Sequence, residues 1–221
     1  MTLNDTFQEI ASITQLIIEN GLSIEEKWPS KKDNKISWND QKDISIALKN
    51  VEYDKKFEVL SKDKNYNLKM LDGALIQMMY EFNNTGRNLI SHRLAFFPSP
   101  KHHRYDENIE LYDEKYFGES EFHDIIEKNI IAFPIRFDFN SSADIFIDID
   151  HPYSHSTFGE YQNCRIPVSG PITPSSFMHF IVKNFYFNAY KKNDIIWKVS
   201  DLRFQTTISK NEEKTLHLNI N

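Results

Sequence analysis

The chain holds a single cysteine, Cys164, so no intramolecular disulfide can form, which fits a reducing compartment. No run of about 18 apolar residues is present to span a bilayer. The opening MTLNDTFQEIASITQLIIENG lacks the basic start and unbroken apolar core of a secretory signal. A cytoplasmic protein without a membrane partner is the simplest expectation. Excess positive charge is missing too: the net charge is -6, which argues against a generic nucleic-acid-coating surface but leaves room for a local basic groove. No Walker sequence, G-x-G-x-x-G, G-x-S-x-G or paired C-x-x-C occurs, which removes the commonest nucleotide, hydrolase and zinc sites.

What the chain does have is aromatic and apolar mass. Hydrophobic residues make up 40% and aromatics 14%, enough to build a core and to argue against disorder. At 221 residues, one domain spanning 1–221 is the favoured organisation, with 28–66 an irregular polar segment containing a hairpin.

Phe7, Ile10, Ile13, Leu16 and Ile17 recur at helical spacing, predicting an amphipathic helix over 5–20 with Asn4 or Asp5 as N-cap and Gly21 as C-cap. Short strands are expected at 36–38 and 44–48, and a helix around 53–60. Met70, Leu71, Ala74, Leu75, Met78 and Met79 also fall at helical intervals, so 69–82 reads as a buried central helix, with a strand pair as the alternative; Asp72-Gly73 reads as a turn or cap. LISHRLAFFPSP reads as a strand, 101–118 as a charged loop and 119–129 as a short helix.

FPIRFDFN alternates, sending Phe133, Ile135, Phe137 and Phe139 one way and Arg136 and Asp138 the other. IFIDID alternates again, so the two read as an antiparallel hairpin with Asp148 and Asp150 on the polar face. CRIPV reads as a third strand with Cys164 in the core, Arg165 on the polar side and Pro167 marking an edge. Thr173-Pro174 is a helix start, followed by a stripe of Phe177, Phe180, Ile181, Phe185 and Ala189. LRFQTTIS and TLHLNI read as a closing hairpin. The fold class expected is α+β: a small, mostly antiparallel sheet packed by N-terminal, central and C-terminal-half helices.

The chemistry gathers on the polar face. Pro152 rules out a regular helix, so His151 and His155 are not a helical metal pair but sit on a rigid loop at a strand exit. Two close histidines can divide general acid and general base work. Arg136, Arg165, or Lys101 and Arg104 in the run Lys101-His102-His103-Arg104 would hold a phosphate, and Asp138 or Asp150 would orient an imidazole. In a rival arrangement His151, His155 and the aspartates ligate a divalent metal whose bound water attacks. The plain alternative is a surface salt-bridge lattice.

The segments LDGALIQMMYEF, HRLAFFPSP, IRFDFN, HPYSHSTFG, NCRIPV and TPSSFMHFIVKNFY resemble an uncharacterised bacterial family, domain of unknown function 2290, over most of the chain. That resemblance implies bacterial origin and carries no activity. The stretch from Arg136 to His155 is also similar, by analogy alone, to small bacterial toxin families suspected of cutting RNA. Two functional expectations follow. The first is a nuclease or phosphodiesterase acting on RNA or DNA, as a toxin or phage-defence effector. The second is a non-catalytic accessory protein with a protein partner from the same operon; the aromatic surplus at Phe185, Tyr186, Phe187 and Tyr190 would suit it if part of that helix is left exposed as a docking patch.

Overall fold

The computed structural model describes residues 1–38, 51–100, 132–161, 163–192 and 201–220. The strand expected at 44–48, the loop at 101–118, the helix at 119–129 and the candidates Lys101 and Arg104 lie outside them.

The first helix, α1 (Leu3–Glu19), buries the predicted stripe of Ile10, Ile13 and Ile17. Its cap is Thr2 rather than Asn4 or Asp5: the Asp5 amide donates to Thr2 Oγ1 and the Thr2 amide to Asp5 Oδ2, a reciprocal box that satisfies two orphan donors. Three short strands follow, β1 (Ser23–Glu26), β2 (Pro29–Lys32) and β3 (Lys35–Trp38), and then α2 (Tyr53–Lys62).

Residues 68–82 form the strand pair β4 (Leu68–Met70) and β5 (Leu75–Phe82), not a helix. Asp72-Gly73 makes the turn between them, with Gly73 at φ 85 and Asp72 Oδ1 accepting from the Ala74 amide at 3.0 Å. The apolar run misleads because the first half of β5 is covered on both faces, leaving no polar side to reveal a period of two.

Strands β6 (Leu89–Phe97), β7 (Ile135–Asn140), β8 (Ser154–Phe158) and β9 (Ile166–Pro167) extend the sheet. Its order is β1-β4-β5-β6-β7-β8-β9, and the β2–β3 hairpin joins β5 beyond the end of β4. Every ladder among the described strands is antiparallel. Helix α3 (Pro174–Phe185) starts at the predicted Thr173 cap, whose hydroxyl accepts from Ser176. The stripe expected to run on to Ala189 is broken at Tyr186, and a short α4 (Phe187–Lys192) follows.

One sheet face carries Ile76, Met78, Tyr80, Leu94, Phe96, Ile135 and Phe137 against α1 and α3 in the main core. On the other face, among the described residues, α2 covers one end, where Leu60 and Tyr66 meet Leu75, Ala95 and Phe97. Beyond that end this face carries Arg93, Arg136, Asp138, His155 and Thr157 beside Met79. The chain is thus α+β, a mostly antiparallel sheet with helices on it.

Two further expectations are corrected. IFIDID is not a strand: Ile145, Ile147 and Ile149 are all exposed, and Ile147 and His151 close a tight loop by exchanging backbone hydrogen bonds of 3.1 and 2.7 Å. The partner of β7 is β8, which places His155 mid-strand rather than in a loop. The C-terminal segments do not form a hairpin either; each attaches to Ser169 or its neighbours, through Thr207 N to Ser169 O and Ser169 N to Leu218 O, both 2.9 Å. That close approach requires Gly170, where a Cβ would lie 3.1 Å from the Gln205 carbonyl. Among the described residues no helix is long and apolar enough to cross a membrane.

Candidate functional site: a basic cleft on the second sheet face

Register builds the site. Met79, Arg93, Asp138, His155 and Pro167 are successive partners across β5 to β9, one rung running over the second sheet face. The neighbouring rung places Ala95, Arg136 and Thr157 side by side. Over this floor stand two walls, the loop carrying Ile145, Phe146, His151 and Tyr153, and the loop carrying Glu160, Tyr161, Cys164 and Arg165. They enclose a cleft of about 670 Å³. That volume falls in the range of small-ligand sites.

Five of the residues singled out from the sequence therefore meet: Arg136, Asp138, His151, His155 and Arg165 all line the cleft. Asp150 does not; it is exposed at the tip of the 147–151 loop. Asp148 is turned away as well, accepting from Ser209 Oγ and Asn211 Nδ2 at 2.6 Å each, bonds that hold its carboxyl below the usual range. Cys164 lies ahead of β9, half-buried at the cleft wall rather than in a strand core, its Sγ 3.5 Å from the Phe158 amide.

Asp138 makes no hydrogen bond to an imidazole among the described residues. Its Oδ1 accepts from Arg93 Nε at 3.0 Å, and although burial pushes its carboxyl up, Arg93 and Arg136 outweigh that and hold it below the usual carboxylate range. The His155 ring is fixed by another group: its Nδ1 faces the Pro152 carbonyl at 3.1 Å. A carbonyl only accepts, so the proton sits on Nδ1 and Nε2 carries the free lone pair. Burial lowers the His155 pKa, with Asp138 pulling the other way. Burial also lowers that of His151, and the nearby Arg165 guanidinium adds to the effect. Both imidazoles are consequently neutral at pH 7, with ring centroids 5.3 Å apart.

Charges in the cleft do not cancel. Lys35 pairs with Glu81 at 3.3 Å, Arg93 with Asp138, and Glu160 with Lys56 of α2 at 2.6 Å. Arg136 and Arg165 have no carboxylate partner and no side-chain hydrogen bond among the described residues, and Arg136 Nε is buried without one. Two guanidinium groups without an ion-pair partner among the described residues thus face one cleft on a chain whose net charge is -6. An ordinary salt-bridge lattice would have paired them.

Sequence reasoning missed Arg93, Thr157, Glu160 and Tyr161. Arg93 had a signal, since alternation in SHRLAFF sends it opposite His92 and Leu94. The others needed the β7–β8 register. No group of three His, Cys, Asp or Glu side chains able to hold a metal ion occurs among the described residues.

Fold and site together define an α+β protein with a cationic, histidine-bearing cleft on an open sheet face. The chain belongs to the family of uncharacterized conserved proteins DUF2290, whose model matches residues 22–220. Comparison with curated proteins and with solved structures gave no match.

Proposed function

We propose that the cleft cuts a phosphodiester bond of a nucleic acid, the kind of activity that a bacterial toxin or phage-defence effector carries. The observation that carries this reading is the convergence of two guanidinium groups without an ion-pair partner among the described residues, Arg136 and Arg165, on two neutral imidazoles, His151 and His155. The arginines supply forked donors for non-bridging phosphate oxygens and for the charge that builds up on them in the transition state. His155, with Nδ1 anchored and Nε2 free, is the general base, and His151 in its protonated form is the general acid. Asp138 keeps Arg93 in place beneath them.

A separate observation favours a second reading, a non-catalytic interaction protein: Ile145, Ile147 and Ile149 expose an apolar ridge on the loop beside the cleft, Ile147 at 57%. The two readings separate on one experiment. Purified protein is incubated with labelled RNA and with single- and double-stranded DNA, with and without divalent metal, alongside a folded His151→Ala, His155→Ala variant. Cleavage by the wild type that the variant lacks supports the nuclease. No cleavage under any condition overturns it in favour of the interaction protein.

A further inference from the structure

Resting on the phosphodiesterase reading, we infer that the strand cut in this cleft is unpaired RNA, with the ribose 2′-hydroxyl next to the scissile phosphate as the nucleophile. Among the described residues the cleft contains a base but no protein nucleophile attached to it. Among these residues the His155 ring bonds to the Pro152 carbonyl alone and His151 makes no side-chain hydrogen bond, so neither imidazole is joined to the hydroxyl of Thr157, Tyr153 or Tyr161 or to the Cys164 thiol. The base–nucleophile pairing that activates an enzyme hydroxyl or thiol is therefore missing among the described residues. Nor do three metal-ligating side chains of the described residues converge there to hold a water-activating ion. A 2′-hydroxyl needs neither device. It is delivered by the substrate beside the phosphorus it attacks, where intramolecular positioning is equivalent to roughly 10⁵ to 10⁸ M of nucleophile.

The step balances with the groups present. His155 Nε2 takes the 2′-hydroxyl proton as the 2′-O–P bond forms. The P–O5′ bond breaks, and the leaving 5′-oxygen takes a proton from the His151 imidazolium. The products are a 2′,3′-cyclic phosphate and a 5′-hydroxyl end, and exchange with solvent resets the two histidines.

The walls favour unpaired bases. Phe146 and Tyr153 lie stacked, centroids 4.2 Å apart and 9° from parallel, and both line the cleft. Tyr161 on the other wall is 78% exposed, a large aromatic face held out at the mouth. Such faces stack on bases that have left a helix, and bases inside a duplex cannot reach them.

The test uses a short fluorescein-labelled oligoribonucleotide of mixed sequence, the same strand with 2′-deoxy or 2′-O-methyl sugars, and its RNA duplex, with mass spectrometry of the product ends. We expect the single ribose strand alone to be cut, leaving 2′,3′-cyclic phosphate, and Tyr161→Ala to weaken binding of that strand about tenfold at an unchanged melting temperature. Cutting of the deoxy or methylated strand at a comparable rate, 5′-phosphate ends, or duplex cut as fast as single strand would overturn this inference while leaving the phosphodiesterase reading in place. No cutting of any nucleic acid would overturn both.

Discussion

Replacing Arg136 by methionine separates a binding site from a structural lattice, because the two predict opposite effects on stability. Arg136 Nε is buried without a partner, and its guanidinium shares the cleft with Arg93 and Arg165. An unsatisfied buried donor costs about 1 to 3 kcal/mol. Methionine keeps most of the apolar stem and removes the donor and the charge. The attraction lost between Arg136 and Asp138 offsets part of that gain, so Arg136→Met is expected to be neutral or to stabilise by up to about 1 kcal/mol, a rise in Tm of up to roughly 4 °C. Breaking a buried structural pair would instead cost about 3 kcal/mol or more. Binding should move the other way. Losing one charge-assisted contact costs roughly 1.5 to 3 kcal/mol, about 10- to 150-fold in Kd for a single-stranded oligonucleotide. The slope of log K against log salt should become shallower by about 0.7. Thermal melts and fluorescence anisotropy read both quantities. A melting temperature lower by roughly 6 °C or more with affinity and salt slope unchanged would refute the reasoning.

Two further outcomes follow from groups around the cleft. His92 is fully buried between Tyr80 and Phe139, accepts from the Ile172 amide at 3.0 Å, and is pushed down to about 4 by burial. Its folded pKa lies below the unfolded one, so protons favour the unfolded chain, and stability is lost as pH falls from about 6.5 toward 4; from pH 7 to 5 this group alone accounts for about 2 kcal/mol. Urea unfolding across that window should be flatter by this amount in His92→Gln, which keeps an acceptor for Ile172, and an unchanged pH dependence would contradict the assignment. Lys56, its side chain 2% exposed, ends on Glu160 at the cleft wall, so Glu160→Gln strands a buried ammonium and should cost about 3 kcal/mol. Lys56→Met in the same chain should recover most of that loss in a double-mutant cycle; equal and additive losses would show that the pair does not couple.

How much of this could be read from the residues depends on which faces are buried. Helix α1 and strand β7 were legible because each has one apolar and one polar side, so 3.6 and 2.0 periodicities are visible. Strand β5 was not, because α2 covers the second face at Leu75 while α1 and α3 cover the first, and continuous burial hides the period. The isoleucines of 145–149 show the opposite failure: they alternate, yet exposure of all three leaves nothing to hold a strand. Strand β8 turns small polar side chains inward, with Ser154 Oγ donating to the Gly170 carbonyl and Ser156 Oγ to the Arg136 carbonyl. It carries no apolar signature, although its His155 was found. Arg136, Asp138, His151, His155 and Arg165 were legible as chemistry, while the rung that joins His155 to Asp138 and Arg93 depends on register between strands distant in sequence.

The pH profile of kcat/KM for RNA cleavage, measured on the wild type and on His155→Ala, reads the division of base and acid between His155 and His151. The base must be deprotonated and the acid protonated, and burial holds both His155 and His151 below the ordinary histidine value. The expected profile is a bell with its maximum below about pH 6.5, whose acidic limb disappears when His155 is removed. A maximum above neutrality, or the same profile in both proteins, would contradict it.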